Sequence, residues 1–114
     1  MPRIIFCALA AFMFAAAPAA AQSFDCAKAS TADEKAVCNS GELSALDDEM
    51  AALYKDIMSH AMMGVSGETR DSQEEFLKDR AACGARTPCL KRAYRARIKT
   101  LTATKKAVGQ GAAD

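Results

Sequence analysis

The sequence predicts a small all-α domain stapled by disulfides, and three observations carry that reading. Apolar residues recur at a period near 3.6 in two stretches, Leu43, Leu46, Met50, Leu53, Ile57 and Leu90, Tyr94, Ile98, Leu101. No run alternates β-branched with polar residues as a half-buried strand requires. Helix-start chemistry stands before the periodic stretches: Thr31 with Glu34, Ser40 with Glu42, and Thr87 with Pro88.

Residues 1–21 read as a secretory signal peptide. Arg3 gives a positive start, residues 4–17 are apolar, Pro18 breaks the run, and Ala19, Ala20 and Ala21 offer small side chains for cleavage before Gln22. Residues 4–21 approach the minimum length of a membrane span, but their Ala-rich end and Pro18 favour a leader over a stable anchor. A lipid anchor is disfavoured because Cys7 lies too early and Cys26 follows Ser-Phe-Asp. Cleavage leaves 93 residues of the 114, enough for one domain with a modest core. That domain is expected over 22–106, with 107–114 a flexible polar tail.

Residues 22–30 form an irregular leading segment pinned by Cys26. A short helix should follow the Thr31–Glu34 capping box and run from Ala32 to about Asn39. Ser40 then caps a long helix with an acid in its first turn, where the helix dipole favours one. Tyr54, Met58 and Ala61 widen its apolar stripe, while Asp47, Asp48, Glu49, Lys55 and Asp56 fall largely on its wet side. Gly64 and Gly67 are expected to end it near Met63, making residues 66–71 a loop. A third, shorter helix should start at Glu68 or Asp71 and reach Cys83, presenting Gln73, Phe76, Leu77, Arg80 and Cys83. After a turn at Gly84, Thr87 and Pro88 open the last helix. The expected architecture sets the long second and fourth helices antiparallel, with the third between or beside them.

The mature chain balances 14 acidic against 14 basic residues once Arg3 is removed, which argues against a general polyanion or nucleic-acid binder. The distribution is uneven: residues 22–60 carry a net −5 and residues 61–114 a net +5. The economical account is that the halves face each other across the two long helices.

Loss of Cys7 with the leader leaves Cys26, Cys38, Cys83 and Cys89, an even count in a small exported chain. Of the three connectivities, Cys26–Cys38 and Cys83–Cys89 are preferred because each closes a short local loop. Each is worth roughly 2–3 kcal/mol by loop entropy. Intervals of eleven and five residues with a single histidine do not fit a zinc site, and no Cys-x-x-Cys redox motif is present.

No catalytic centre, cofactor site or metal site is expected. His60, the sole histidine, reads as a surface residue near a helix C-terminus. Adjacent acids such as Glu74 and Glu75 diverge on a helix rather than converge on one atom. Met50, Met58, Met62 and Met63 read as core filling before a soft-metal or adaptable contact surface. Asp47, Tyr54, Gln73, Arg80, Tyr94 and Arg97 lie on or beside apolar stripes and read first as a polar network fixing helix register.

The chain resembles the LprI-type lysozyme inhibitor domain family. The resemblance begins at Phe24-Asp25-Cys26 and Glu34-Lys35-Ala36-Val37-Cys38. It continues through Leu46-Asp47 and Leu53-Tyr54, and resumes at Gln73, Phe76, Arg80, Cys83, Cys89-Leu90, Tyr94, Arg97-Ile98 and Leu101. The family often has Trp where this chain has Phe76, so a smaller core contact is expected. The resemblance implies a periplasmic or secreted, non-enzymatic helical domain, with lysozyme or another cell-wall lytic enzyme as partner. Asp47, Asp48, Glu49 and Asp56 are then the candidate partner-binding residues, an acidic face to steer a cationic enzyme. The alternative is an envelope module whose basic last helix holds anionic lipid, wall polymer or a partner protein.

Overall fold

A computed structural model describes residues 23–111; the leader reading and the Gln22 cleavage site lie outside the described residues. A single 3-10 turn, Cys26–Lys28, precedes four helices: α1 Ala32–Cys38, α2 Gly41–His60, α3 Met63–Cys83 and α4 Thr87–Gly111. No strand occurs among the described residues.

Local chemistry explains most of the boundaries. Asp25 accepts the Ala27 N–H at 2.9 Å and winds the first turn. Thr31 and Glu34 form the reciprocal capping box in front of α1. The Ser40 hydroxyl accepts the Leu43 N–H at 3.2 Å and starts α2. Gly84 ends α3 at φ +57°, a backbone angle that a residue with a Cβ adopts only under strain.

Gly64 and Gly67 do not break the chain, and residues 66–71 are helix rather than loop. α3 starts at Met63, so it is as long as α2 instead of a short connector. The break falls at Ala61 and Met62, both extended, although neither is a helix breaker by type. It separates Ile57, the last buried residue of α2, from Thr69, the first of α3, so packing sets the reversal. The Ser66 and Thr69 hydroxyls bond back to the Met63 and Val65 carbonyls, which fits two glycines into the opening turns of a helix held elsewhere.

The length of α3 also corrects the packing direction. Contacts from α2 to α4 advance together along both chains: Glu42 meets Lys91, Asp47 meets Tyr94 and Asp56 meets Lys105. The two helices are therefore parallel, not antiparallel. A full-length α3 carries the chain back down, and Phe76 against Tyr94 with Gln73 against Arg97 gives its antiparallel register to α4. α4 is the common partner, since α2 and α3 each pack mainly on it.

The core comprises Val37, Leu43, Met50, Ile57, Phe76, Cys83, Leu90, Tyr94 and Leu101. Phe76 meets the Tyr94 ring edge-on at 5.2 Å. Both cysteine pairs are joined as the spacing predicts, Cys26 to Cys38 and Cys83 to Cys89. α4 continues past Lys106 into the stretch expected as a tail and reaches Gly111. Val108 there borders a shallow recess together with Ile57 and His60, and Lys105 pairs with Asp56, so the end of α2 flanks the extra turn.

Candidate functional site

Two buried polar clusters fix the helices on which the candidate site stands. The first centres on Asp47, 1% exposed and one turn after Leu43 on the buried side of α2. Its Oδ1 accepts the Tyr94 hydroxyl at 2.8 Å and the Ser23 hydroxyl at 2.6 Å, and its Oδ2 accepts the Ser23 N–H at 2.8 Å. Burial, then the adjacent Asp47 charge, pushes the Tyr94 phenol well above its ordinary range.

The second centres on Arg97, 6% exposed and seven residues after Leu90 on the buried stripe of α4. Its nitrogens donate to Gln73 Oε1 at 2.9 Å, the Ser72 hydroxyl at 2.9 Å and the Thr69 carbonyl at 3.1 Å. Every acceptor is neutral, and burial lowers the guanidinium pKa. The Gln73 amide donates in turn to the Met50 thioether at 3.2 Å, a weak acceptor. The register network expected from the sequence is thus present, with Tyr54 half-buried beside it.

Arg80 forms a separate pair. It is 7% exposed, its Nε donates to Asp33 Oδ2 at 2.8 Å, and the Phe24 ring lies 5.0 Å from its guanidinium carbon. Burial would raise the Asp33 pKa, but the Thr31 hydroxyl and Arg80 outweigh it and hold the carboxyl below its usual value. Arg80 Nη1 is buried with no hydrogen-bond partner among the described residues.

These residues border an open groove of about 780 Å³ between α2 and α3. Small side chains on α2, Ala51 and Ala52, leave the space; Phe24, Tyr54 and Leu77 supply apolar wall; Gln73 and Arg80 supply polar wall. Leu77 is one of the few large apolar residues left open to solvent. The volume falls within the usual span of ligand-sized sites.

The four candidate partner-binding acids do not share one open face. Asp47 is sealed in the core and is not available to a partner, which corrects its placement on the wet side. Asp48 is half-buried, and its Oδ1 has no hydrogen-bond partner among the described residues. Glu49 is exposed. Asp56 is half-buried and shared between Lys105 at 3.3 Å and His60 at 3.4 Å. Glu42 holds Lys91 at 2.7 Å and Arg95 at 3.4 Å, so the acidic and basic halves do meet across α2 and α4.

His60 is exposed, with Nδ1 2.8 Å from the Asp56 carbonyl. Met50 is core, but Met62 and Met63 are solvent-exposed at the α2–α3 turn rather than core filling. No cluster of three potential metal-ligating His, Cys, Asp or Glu side chains occurs among the described residues. No described helix is long and apolar enough to cross a membrane.

Sequence reasoning missed the roles of Ser23 and Asp33. Asp33 looks like an ordinary first-turn acid of α1; its partner lies 47 positions away, beyond any local signal. Arg97 carried a usable signal, seven after Leu90 and four before Leu101, which sets it on the buried stripe.

Fold and site define a disulfide-stapled helical domain whose buried polar pairs brace an open, half-apolar groove. Its chain is similar to lipoprotein LprI of Mycobacterium tuberculosis and of Mycobacterium bovis, at 30% identity over 87 residues. The match covers 74% of this chain and 43% of LprI, a distant relationship in which the chain spans less than half the length of the relative. No family model matches the chain, and no solved structure matches it.

Proposed function

We propose that the protein is an exported, non-enzymatic binding domain that inhibits a lysozyme-type cell-wall lytic enzyme. The observation that carries the reading is the α2–α3 groove, an open recess lined by apolar and polar side chains in a domain distantly related to LprI. The two disulfides fit an oxidising compartment. Asp48, Glu49 and Asp56 are the acids that remain for steering a cationic enzyme, with Asp47 withdrawn into the core.

The test is lysozyme-driven lysis of cell walls in the presence of the purified exported form. The expected result is slowed lysis. It should weaken when Asp48, Glu49 and Asp56 are reversed to Lys, more so at low salt, because exposed charges act mainly on encounter rate and are screened. Undiminished lysis at a large molar excess of folded protein rejects the proposal.

One observation favours a second reading, an envelope module that holds anionic lipid. Arg92, Lys99 and Lys106 repeat every seven residues along the exposed face of α4, opposite its buried stripe. Salt-sensitive sedimentation with anionic vesicles, lost on Arg92→Glu with Lys99→Glu, separates this reading from the first.

A further inference from the structure

We propose that the α2–α3 turn is a binding site for a soft monovalent metal ion of the copper(I) class, held by the Met62 and Met63 thioethers and by Nε2 of His60. The inference rests on neither the lytic-enzyme nor the lipid reading.

Three observations converge on this ligand. First, Met62 and Met63 are 85% and 90% exposed, against 39% for Leu77. Neither belongs to the core or to the apolar residues packed on it, so packing does not account for them. A thioether is a soft donor, and an open pair of them has sulfur lone pairs to offer a soft ion.

Second, His60 is oriented as a ligand. Its Nδ1 lies 2.8 Å from the Asp56 carbonyl oxygen, which only accepts. The proton of the neutral ring therefore sits on Nδ1 and the lone pair on Nε2. A backbone carbonyl behind the ring is the arrangement that fixes a metal-binding imidazole. The side chain is 69% exposed, and Nε2 makes no hydrogen bond among the described residues.

Third, the backbone puts the three donors together. His60 closes α2, Ala61 and Met62 are extended, and Met63 opens α3. Three residue steps span at most about 11 Å, a gap that histidine and methionine side chains close from its two ends. The turn joins the C-terminus of one helix to the N-terminus of the next, so their end charges offset and donor softness selects the ion. The neighbouring carboxylate, Asp56, already serves Lys105 at 3.3 Å, which leaves a hard dication without the oxygen ligands it needs. The four described cysteines are closed in disulfides, so no thiolate among them competes for a soft ion.

The experiment is an NMR titration of the exported chain with silver nitrate in chloride-free buffer. Ag(I) shares the charge and softness of Cu(I) without its redox chemistry. The expected result is saturable shifts of the Met62 and Met63 methyls and of His60 Nε2, while the methyl of Met50, buried in the core, stays in place. Cu(I) kept reduced by ascorbate should move the same signals, and Zn(II) should leave the methyls unmoved. Met62→Leu with Met63→Leu should weaken silver binding by about tenfold or more. The melting temperature should not change, because both side chains are exposed. His60→Ala should weaken binding as well. Full silver affinity in the double leucine variant, shifts confined to other residues, or Zn(II) moving the methyls as silver does overturns the proposal.

Discussion

Tyr94 and Asp47 are the pair in which the ionisation of one residue matters most. The Tyr94 side chain is fully buried and its hydroxyl donates to a carboxylate, so a phenolate there would be desolvated and would face a like charge. Its folded pKa lies above the unfolded value of 10.0. A group raised in this way contributes stability that is complete below the unfolded pKa and is lost as pH rises beyond it. Stability should therefore fall steeply above about pH 10, and the Tyr94 phenolate absorbance should appear only with unfolding. Tyr94→Phe should flatten that alkaline decline, at a cost of about 1–3 kcal/mol near neutral pH because Asp47 loses a buried donor. Spectrophotometric titration beside circular dichroism checks both. A phenolate band from Tyr94 in the folded protein would contradict the argument.

At the scale of elements, the boundaries readable in the sequence are those with local chemical causes. Thr31 with Glu34, Ser40, and Gly84 act within a few residues of themselves, and the structure uses all three. The start of α3 was not legible, because nothing local at Ala61 or Met62 marks it and two glycines farther on point the wrong way. The parallel relation of α2 and α4 was lost with it, since helix direction depends on how many full-length helices intervene. In the candidate site, Arg80, Tyr54 and Gln73 were visible as polar residues beside stripes. The Asp33 pair and the Ser23 clasp were not, because long-range partners leave no periodic trace. The glycine argument has a direct test. A Cβ at Gly64 or Gly67 meets nothing within 4 Å, and neither residue has positive φ. Gly67→Ala, more than a turn inside α3, should stabilise by about 0.5–1 kcal/mol, and Gly64→Ala in the first turn by less. Gly84→Ala should destabilise by about 1 kcal/mol or more, because φ +57° strains any Cβ. Thermal melts of the three variants rank them; a destabilising Gly67→Ala would contradict helical continuity at that position.

At the scale of the molecule, the two disulfides do different work. Cys83–Cys89 closes a turn that Gly84, the Phe76–Tyr94 contact and the Arg97 hydrogen bonds already hold between α3 and α4. Cys26–Cys38 ties the leading segment to the end of α1, and that segment carries both Ser23 onto Asp47 and Phe24 onto Arg80. It therefore couples one covalent bond to the buried Asp47 and Arg80 and to one wall of the groove. Its loop spans 12 positions against 6 for the other, which gives it the larger entropic share, about 3 against 2 kcal/mol. Cys26→Ser with Cys38→Ser should lower the melting temperature by roughly 10 °C or more in a domain of this size. It should also speed amide exchange at Ser23 while the amides around Leu90 and Tyr94 in α4 keep their protection, since local opening need not involve the core. Cys83→Ser with Cys89→Ser should leave Ser23 protected. Equal Ser23 exchange in the two variants would show that the leading segment is held by Asp47 alone, and that the first disulfide does not brace the groove.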